Sequence, residues 1–150
     1  MPSLSAEPMR RLVAEARVGR LATVAADSRP HLVPVCFVLE PGAGHADRVH
    51  IAVDFKPKRT TELRRTANLR ATGRASLLVD HYGEDWSRLW WVRLDGTGQP
   101  LDGTEHADEI ERALDALAAK YPQYRAQRPD GPVLRIEVEA WRGWSAEPLS

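Results

Sequence analysis

The chain has 150 residues, of which 43% are hydrophobic and 28% are charged. This composition is typical of a globular protein and excludes a disordered chain, and the length favours one domain over residues 1–150. Lys and Arg total 21, as do Asp and Glu, so the formal net charge is zero. Bulk charge therefore gives no reason to expect nucleic acid or an anionic membrane as a partner.

The sequence also predicts a soluble, cytoplasmic protein. A single cysteine, Cys36, excludes an intrachain disulfide and suits a reducing compartment. Charged side chains interrupt residues 1–20, where a signal peptide would need an apolar stretch. No part of the sequence approaches the roughly 20 apolar residues that a membrane-spanning helix needs.

The first third of the chain predicts one helix and three strands. Apolar residues at helical spacing predict a helix over Ala6–Arg17, with Ser5 as its N-cap and Gly19 as its stop. Apolar runs between turn-forming residues predict three strands, at Leu21–Ala25, His31–Leu39 and Arg48–Val53. The connections are too short for crossover helices, so we expect these strands to form an antiparallel meander.

The remainder of the chain predicts two more helices and three more strands. The helices are predicted at Lys56–Asn68 and at Thr104–Lys120, the latter capped by Thr104. The strands are predicted at Arg74–Asp80, Leu89–Thr97 and Leu134–Ala140. Six strands in mostly antiparallel order, with flanking helices, indicate a mostly β (α+β) fold, a Greek-key or split β-barrel.

The segment Lys56–Thr61 is the most basic part of this neutral chain. Between Lys56 and Arg74 there are seven basic residues and one acidic residue, Glu62. The segment lies between a predicted strand and the start of a predicted helix. The free N–H groups at the start of a helix can bind a phosphate. A solvated helix face explains the same pattern and is the safer interpretation from composition alone.

Other residues with possible functions are ambiguous. Pro34 cannot donate to a strand ladder, so its strand is predicted to be an edge or to be bulged there. Adjacent Trp90 and Trp91 point to opposite faces of a strand, so one fits the core and the other needs a ligand or a subunit interface. Cys36 is predicted to be buried and inert. The histidines are scattered, and no spacing indicates a metal site or a catalytic triad.

Several motifs together resemble one family. In order along the chain they are Val18–Val24, Arg29–Val35, Lys56–Thr60, Leu63–Arg65, Arg74–Asp80 and Arg88–Val92. Together they are similar to the pyridoxamine 5'-phosphate oxidase-like split β-barrel proteins, and most of all to a branch of F420-dependent enzymes. The resemblance covers nearly the whole chain. Relatives bind FMN, coenzyme F420 or heme.

The resemblance implies a homodimer with two cofactor sites at its interface. It implies phosphate contacts from Lys56, Lys58, Arg59 and Thr60. It implies that the ring of the cofactor is bordered by Val33, Pro34, Val35, Ala52, Val53 and Asp54. It further implies that the opposite subunit contributes Trp90 and Trp91, with Arg88.

The function expected from this resemblance is hydride transfer between F420 and a small organic substrate. The catalytic residues are not predicted. Two alternatives stay open, namely an FMN-dependent oxidase or reductase of the same fold and a cofactor carrier without catalysis. Nucleic-acid binding through the basic segment is disfavoured by the zero net charge.

Overall fold

A computed structural model describes residues 3–53 and 62–149. Within these residues the α-helices are α1 (Ala6–Glu15), α2 (Arg64–Ala71), α3 (Ala107–Lys120) and α4 (Pro122–Ala126). The strands are β1 (Gly19–Val24), β2 (Pro30–Val35), β3 (Val38–Glu40), β4 (Arg48–Ala52), β5 (Arg74–His81), β6 (Trp90–Pro100) and β7 (Val133–Ser145). None of these helices is long and apolar enough to cross a bilayer.

All seven described strands belong to one antiparallel sheet in the order β2-β1-β5-β6-β7-β4-β3. Its two edge strands, β2 and β3, are consecutive in the chain and are separated by only Cys36 and Phe37. Since two residues cannot span a flat seven-stranded sheet, the sheet must curl until its edges meet. The split β-barrel expected from the sequence is therefore confirmed.

The prediction of one strand over His31–Leu39 is wrong, because the chain breaks at Cys36-Phe37. The first part of this segment, β2, pairs with β1, and the second part, β3, pairs with β4. The predicted meander is therefore divided between the two edges of the sheet. Pro34 lies on edge strand β2, opposite Arg20, so of the two predicted alternatives, an edge or a bulge, the structure shows the edge. There its missing N–H breaks no inner ladder.

A bulge between Asp95 and Gly96 bends the long pair formed by β6 and β7. A Cβ atom at Gly96 would lie 2.0 Å from the carbonyl oxygen of Glu137, closer than any side chain can approach. The bulge adds the local twist that a curled sheet needs. The inward side chains form the core and are fully buried; the largest are Phe37, Leu21, Ile51, Leu77 and Leu94.

The helix bounds correct several predictions. Helix α1 ends at Glu15 rather than Arg17, and Gly19 opens β1 instead of stopping the helix. Ser5 does occupy the N-cap, although its side chain makes no capping hydrogen bond. Thr104 does not cap α3, because the helix begins only at Ala107. Thr104 lies in the preceding turn, where its N–H donates to the Asp102 carboxylate.

Two further bounds differ from the sequence predictions. The helix predicted at Lys56–Asn68 corresponds to α2, which begins at Arg64 and ends at Ala71. Residues 56–61 of the predicted helix lie outside the described residues. The final strand is longer than predicted and covers 13 residues, Val133–Ser145. Its partner β6 is also long, so the strands can pair along most of their length.

A buried charge network attaches α3 to the sheet. The Glu109 carboxylate on α3 accepts hydrogen bonds from Arg135 on β7 at 2.8 and 2.9 Å. It also lies 2.7 Å from Nε2 of His50, which is fully buried on β4. Arg48, Glu40 and Arg112 complete the network, which joins α3 to β3, β4 and β7.

This network makes the fold sensitive to acid. The Arg135 hydrogen bonds lower the pKa of the Glu109 carboxyl to about 2, and burial lowers the pKa of the His50 imidazole below 6.5. Both folded-state pKa values are depressed. The folded chain therefore binds fewer protons than the unfolded chain, and stability is lost as the pH falls below about 6.5.

We expect Glu109→Gln to lower the free energy of unfolding at pH 7 by about 3 kcal/mol, because it leaves a buried guanidinium without its carboxylate. The remaining stability should also fall less steeply between pH 5 and pH 3 than in the wild type. Urea unfolding at several pH values measures both effects. Glu111→Gln, at an exposed position on the same helix, is the control. Equal stability of the two variants would contradict the assigned role of Glu109.

Candidate functional site

A cleft of about 380 Å³ opens where the β2–β3 break, the end of β4 and the start of α2 meet. Its apolar wall comes from β2 and β4, and its polar side chains come from the helices and the break. The lining residues are Val18, Pro34, Val35, Cys36, Ile51, Ala52, Val53, Leu63, Arg65 and Tyr124. A concave site that combines apolar side chains with polar groups is typical of cofactor-binding pockets.

Tyr121 holds the β2–β3 break in place. Its hydroxyl accepts the Phe37 N–H at 3.1 Å, and its own proton lies within reach of the carbonyl oxygens of Phe37 and Arg17, at 3.1 and 3.0 Å. The Lys120 ammonium also donates to the Phe37 carbonyl at 2.9 Å. Burial lowers the pKa of Lys120 to about 8, and Arg17 adds to this effect. The end of α3 thus satisfies the backbone that the strand ladder leaves unpaired.

Four of the six residues predicted to border the ring of the cofactor lie together at the cleft. Pro34, Val35, Ala52 and Val53 all line the cleft, whereas the partly buried Val33 packs against the main core. Asp54, Lys56, Lys58, Arg59 and Thr60 lie outside the described residues. The residues on either side of that segment, Val53 and Leu63, both line the cleft. Contact between these residues and a cofactor stays a prediction.

The other three predicted residues lie away from this cleft. Arg88 and Trp90 border a separate depression of about 600 Å³ beside the C-terminal residues. Trp91 lies in a groove on the outer face of the sheet, where the Arg93 guanidinium is 5.8 Å from its ring centre. The prediction that one tryptophan of the pair fits the core while the other faces away from it agrees with this arrangement, in which Trp90 packs against the core and Trp91 lies in the outer groove.

The site predictions omitted six residues that line the cleft, and three of them, Cys36, Arg65 and Tyr124, carry a thiol, a guanidinium group and a hydroxyl. Cys36 is half-buried at the break, so the prediction of a buried residue within a strand is wrong. Tyr124 comes from α4, which sequence patterns could not place beside β2. Arg65 belongs to the motif Leu63–Arg65, and its position in that motif was the one available signal.

Arg65 is the cationic side chain of the cleft among the described residues. It lies in the first turn of α2, whose N-cap residue, Leu63, makes no capping hydrogen bond with its side chain. The first backbone N–H groups of a helix lack partners within the helix, and that end of the helix is positive. The preceding Glu62 is already paired with Arg70 at 2.7 Å. This end of the cleft therefore suits an anionic group such as a phosphate.

We expect Tyr121→Phe to lower the free energy of unfolding by about 1–3 kcal/mol, because it leaves the buried Phe37 N–H without an acceptor. Tyr82→Phe, at an exposed position, is the control and should leave the stability unchanged. Urea unfolding monitored by tryptophan fluorescence measures the difference. A Tyr121→Phe protein as stable as the control would show that the hydroxyl does not stabilise the break.

Comparison with known proteins shows the family. Residues 5–145 match the family described as pyridoxamine 5'-phosphate oxidase. The chain belongs to this family. No curated protein matches the chain.

Solved structures that are less than 25% identical in sequence to this chain share its fold. An FAD-binding protein from Mesorhizobium loti superposes with a TM-score of 0.69 at 22% identity, over 95% of each chain. The FAD-binding protein from Mycobacterium smegmatis gives a TM-score of 0.60 at 16% identity, over 96% of this chain and 97% of that one. A heme-binding protein from Mycobacterium smegmatis gives 0.61 at 23% identity, over 93% of this chain and 57% of that one.

Proposed function

We propose that this chain is an oxidoreductase that binds a flavin-type cofactor in the cleft between β2, β4 and α2. The observation that carries the proposal is the combination of two features in one cleft. Arg65 and the first turn of α2 offer an anion site, and Pro34, Val35 and Ala52 provide an apolar wall beside it. A flavin-type cofactor needs this pairing, because it joins a flat ring to a phosphate.

The apolar wall suits the ring for a physical reason. Strand β2 is an edge strand, so the backbone groups on its free side are not committed to a ladder. Such groups can hydrogen-bond the polar edge of a ring while apolar side chains cover its face. The same wall would cover one side of a bound ring and limit the access of water to it.

We further propose that the physiological cofactor is F420 and that the substrate is a small organic molecule. When bound, its deazaflavin ring supplies or accepts a hydride, so the protein needs to bind and orient rather than to provide a catalytic triad. The proposed residues for its phosphate are Arg65 together with the predicted Lys56, Lys58, Arg59 and Thr60. Support for F420 comes from the sequence motifs.

The alternative is FMN or FAD in the same cleft. Two structures that share the fold are FAD-binding proteins by name, and one is a heme-binding protein. These names support a flavin-type cofactor at the level of the fold. The ring of FMN would face the same apolar wall, and its phosphate would meet the same end of α2.

We expect the purified protein to bind F420 more tightly than FMN or FAD, as measured by fluorescence titration of each cofactor. Arg65→Ala should weaken binding of the preferred cofactor by about 10- to 100-fold, the value of a charge-assisted hydrogen bond. Arg74→Ala, at an exposed position, is the control. Preference for FMN or FAD would reject F420, and failure of all three to bind would reject a flavin-type cofactor.

We also propose that the protein is a homodimer. The outer face of β2, β1, β5 and β6 carries a groove of about 520 Å³ in which Leu32, Tyr82 and Trp91 lie. Leu32 is 70% exposed and Tyr82 is 62% exposed. Large exposed apolar side chains in one area indicate a protein interface.

The charges of this groove fit a second copy of the same chain. Arg20 and Asp80 form a salt bridge at 3.1 Å within the groove, and Arg93 lies on the same face. A face that carries both signs can pair with itself across a two-fold axis, because each charge can meet its opposite. Such a dimer would bury Trp91, one of the residues that the family resemblance assigns to the interface.

We expect the wild type to elute as a dimer, and Leu32→Glu to shift it toward the monomer by placing a charge in the interface. Size-exclusion chromatography with light scattering measures the mass of each. Ala43→Glu, in an exposed loop away from the groove, should remain dimeric. A wild type that is monomeric at every concentration measured would contradict the proposal.

A further inference from the structure

We propose that His50 and Glu40 form a proton-operated switch that couples α3 to the cleft. In the neutral form of the switch Glu40 is bound to Arg112 of α3, and in the protonated form it is bound to His50 of β4. The proton site depends only on the geometry of described residues. Its effect on cofactor binding rests on the proposed function.

Neutral His50 carries its proton on Nε2. This atom lies 2.7 Å from Oε2 of Glu109. The pKa of the Glu109 carboxyl is about 2, chiefly because Arg135 donates to it, so the carboxylate is ionised at pH 7. An ionised carboxylate can only accept hydrogen bonds, so Nε2 must donate. In the neutral ring Nδ1 therefore has a lone pair and no proton.

The lone pair of Nδ1 faces a second carboxylate. Nδ1 lies 3.6 Å from Oε2 of Glu40, and the His50 side chain is fully buried. Nδ1 makes no hydrogen bond with any described residue. Two acceptor atoms cannot bond each other, and a buried polar atom without a partner is uncommon in folded proteins. One proton on Nδ1 converts this contact into a charge-assisted hydrogen bond.

Charged groups from every element around His50 act on this proton. Glu109 from α3 and Glu40 from β3 favour the protonated imidazole, whereas Arg135 from β7 opposes it. Burial has the largest influence and holds the pKa of His50 below its usual value, so the ring is neutral at pH 7. The charged or titratable groups that complete the surroundings are Arg48, Arg112, Glu137 and His45. Nearby guanidinium groups repel a metal ion, so the cation that fits this place is a proton.

Glu40 has a different partner in each form. With His50 neutral, Oε1 of Glu40 lies 3.3 Å from the Arg112 guanidinium and 3.9 Å from Nε2 of His45. The Arg112 side chain is 55% exposed, so its pair with Glu40 is weak. The contact with His50 is buried, so a proton there attracts Glu40 more strongly. A movement of about 0.8 Å gives an ordinary hydrogen-bond length, and proton uptake thus transfers Glu40 from α3 to β4.

Strands β3 and β4 connect the switch to the cleft. On β4, His50 is followed directly by Ile51, which lines the cleft. On β3, Val38 pairs with His50 and comes soon after Cys36, which also lines the cleft. Coupling between two places needs an element with two discrete arrangements, and Glu40 with its two partners is such an element.

Helix α3 provides a second connection. At its C-terminal end, Lys120 and the adjoining Tyr121 hold Phe37 at the β2–β3 break. Arg112 lies on the same helix and ties it to β3 through Glu40. When Glu40 leaves Arg112, α3 loses this tie and holds the break less firmly. We therefore expect the protonated form to bind a cofactor in the cleft more weakly.

The first test needs no cofactor and measures the proton site directly. Nitrogen-15 NMR from pH 8 downward should show Nδ1 of His50 without a proton at pH 8 and with one at lower pH, while circular dichroism checks the fold. Glu40→Gln should lower the pKa of His50 further, because it removes the negative charge that faces Nδ1. Glu84→Gln, at an exposed position in the β5–β6 loop, is the matched control and should leave that pKa unchanged.

Three results would overturn the proton site. They are a proton on Nδ1 at pH 8, a pKa of His50 that Glu40→Gln leaves unchanged, and unfolding of the chain before His50 takes up its proton. In the last case the switch would have no folded protonated form.

The same spectra test whether the break follows the switch. The backbone amide signal of Phe37 should shift with the apparent pKa of His50 in the wild type, and this shift should be lost in Glu40→Gln. A Phe37 signal that does not respond to the proton on His50 would overturn the coupling to the cleft, whether or not a cofactor binds.

The second test measures the dissociation constants of F420, FMN and FAD by fluorescence titration, above and below the pKa of His50 that NMR gives. For a cofactor that binds, the wild-type constant should rise by about fivefold or more on protonation. Glu40→Gln should lose most of this rise, whereas His45→Gln should keep it. All three proteins meet the same ionisation of the cofactor, so the difference between them isolates the switch.

Equal pH dependence of binding in the wild type and in Glu40→Gln would overturn the effect of the switch on the cofactor. If none of the three cofactors binds at either pH, the proposed function fails. The signals of His50 and Phe37 then still decide whether the switch exists and whether it reaches the break.

Discussion

The hydrogen bonds around Phe37 are the constraint on which the rest of the structure depends. The chain must leave one edge of the sheet and enter the other within two residues, so the backbone at this point cannot pair in a ladder. Tyr121 and Lys120, at the end of α3, supply the missing partners. Because buried backbone groups without partners are costly, this contact lets the barrel close.

The same break creates the cleft. A continuous strand would carry its side chains past this point in strict alternation and would leave no opening. At the interruption Val35 and Cys36 line the cleft with the end of β4 and the start of α2, and α4 brings Tyr124 to the same space. Helix α3 is in turn held on the sheet by Glu109 and its partners Arg135 and His50. The wall of the cleft therefore depends on a charge network on another part of the sheet.

Two neighbouring residues of α2 divide the positive charge at the end of the barrel. Arg65 turns to the cleft and Arg64 turns to the cavity beneath the β1–β2 hairpin. Adjacent residues of a helix point about 100° apart, so the two side chains line separate spaces on either side of the start of α2. A chain with zero net charge can in this way concentrate basic side chains at one end of its barrel.

The motifs of the sequence by themselves indicated the family. Its alternating apolar residues and turn residues, which are local signals, determined the fold class and the position of most strands. It also restricted Pro34 to an edge strand or a bulge, since a missing N–H constrains any sheet. It did not determine the break at Cys36-Phe37, because that break follows from closure of the barrel and from Tyr121, which is 84 residues distant from Phe37. Only the tertiary structure brought Arg65, Tyr124 and Val35 together, since contacts between distant segments depend on packing that no local pattern records.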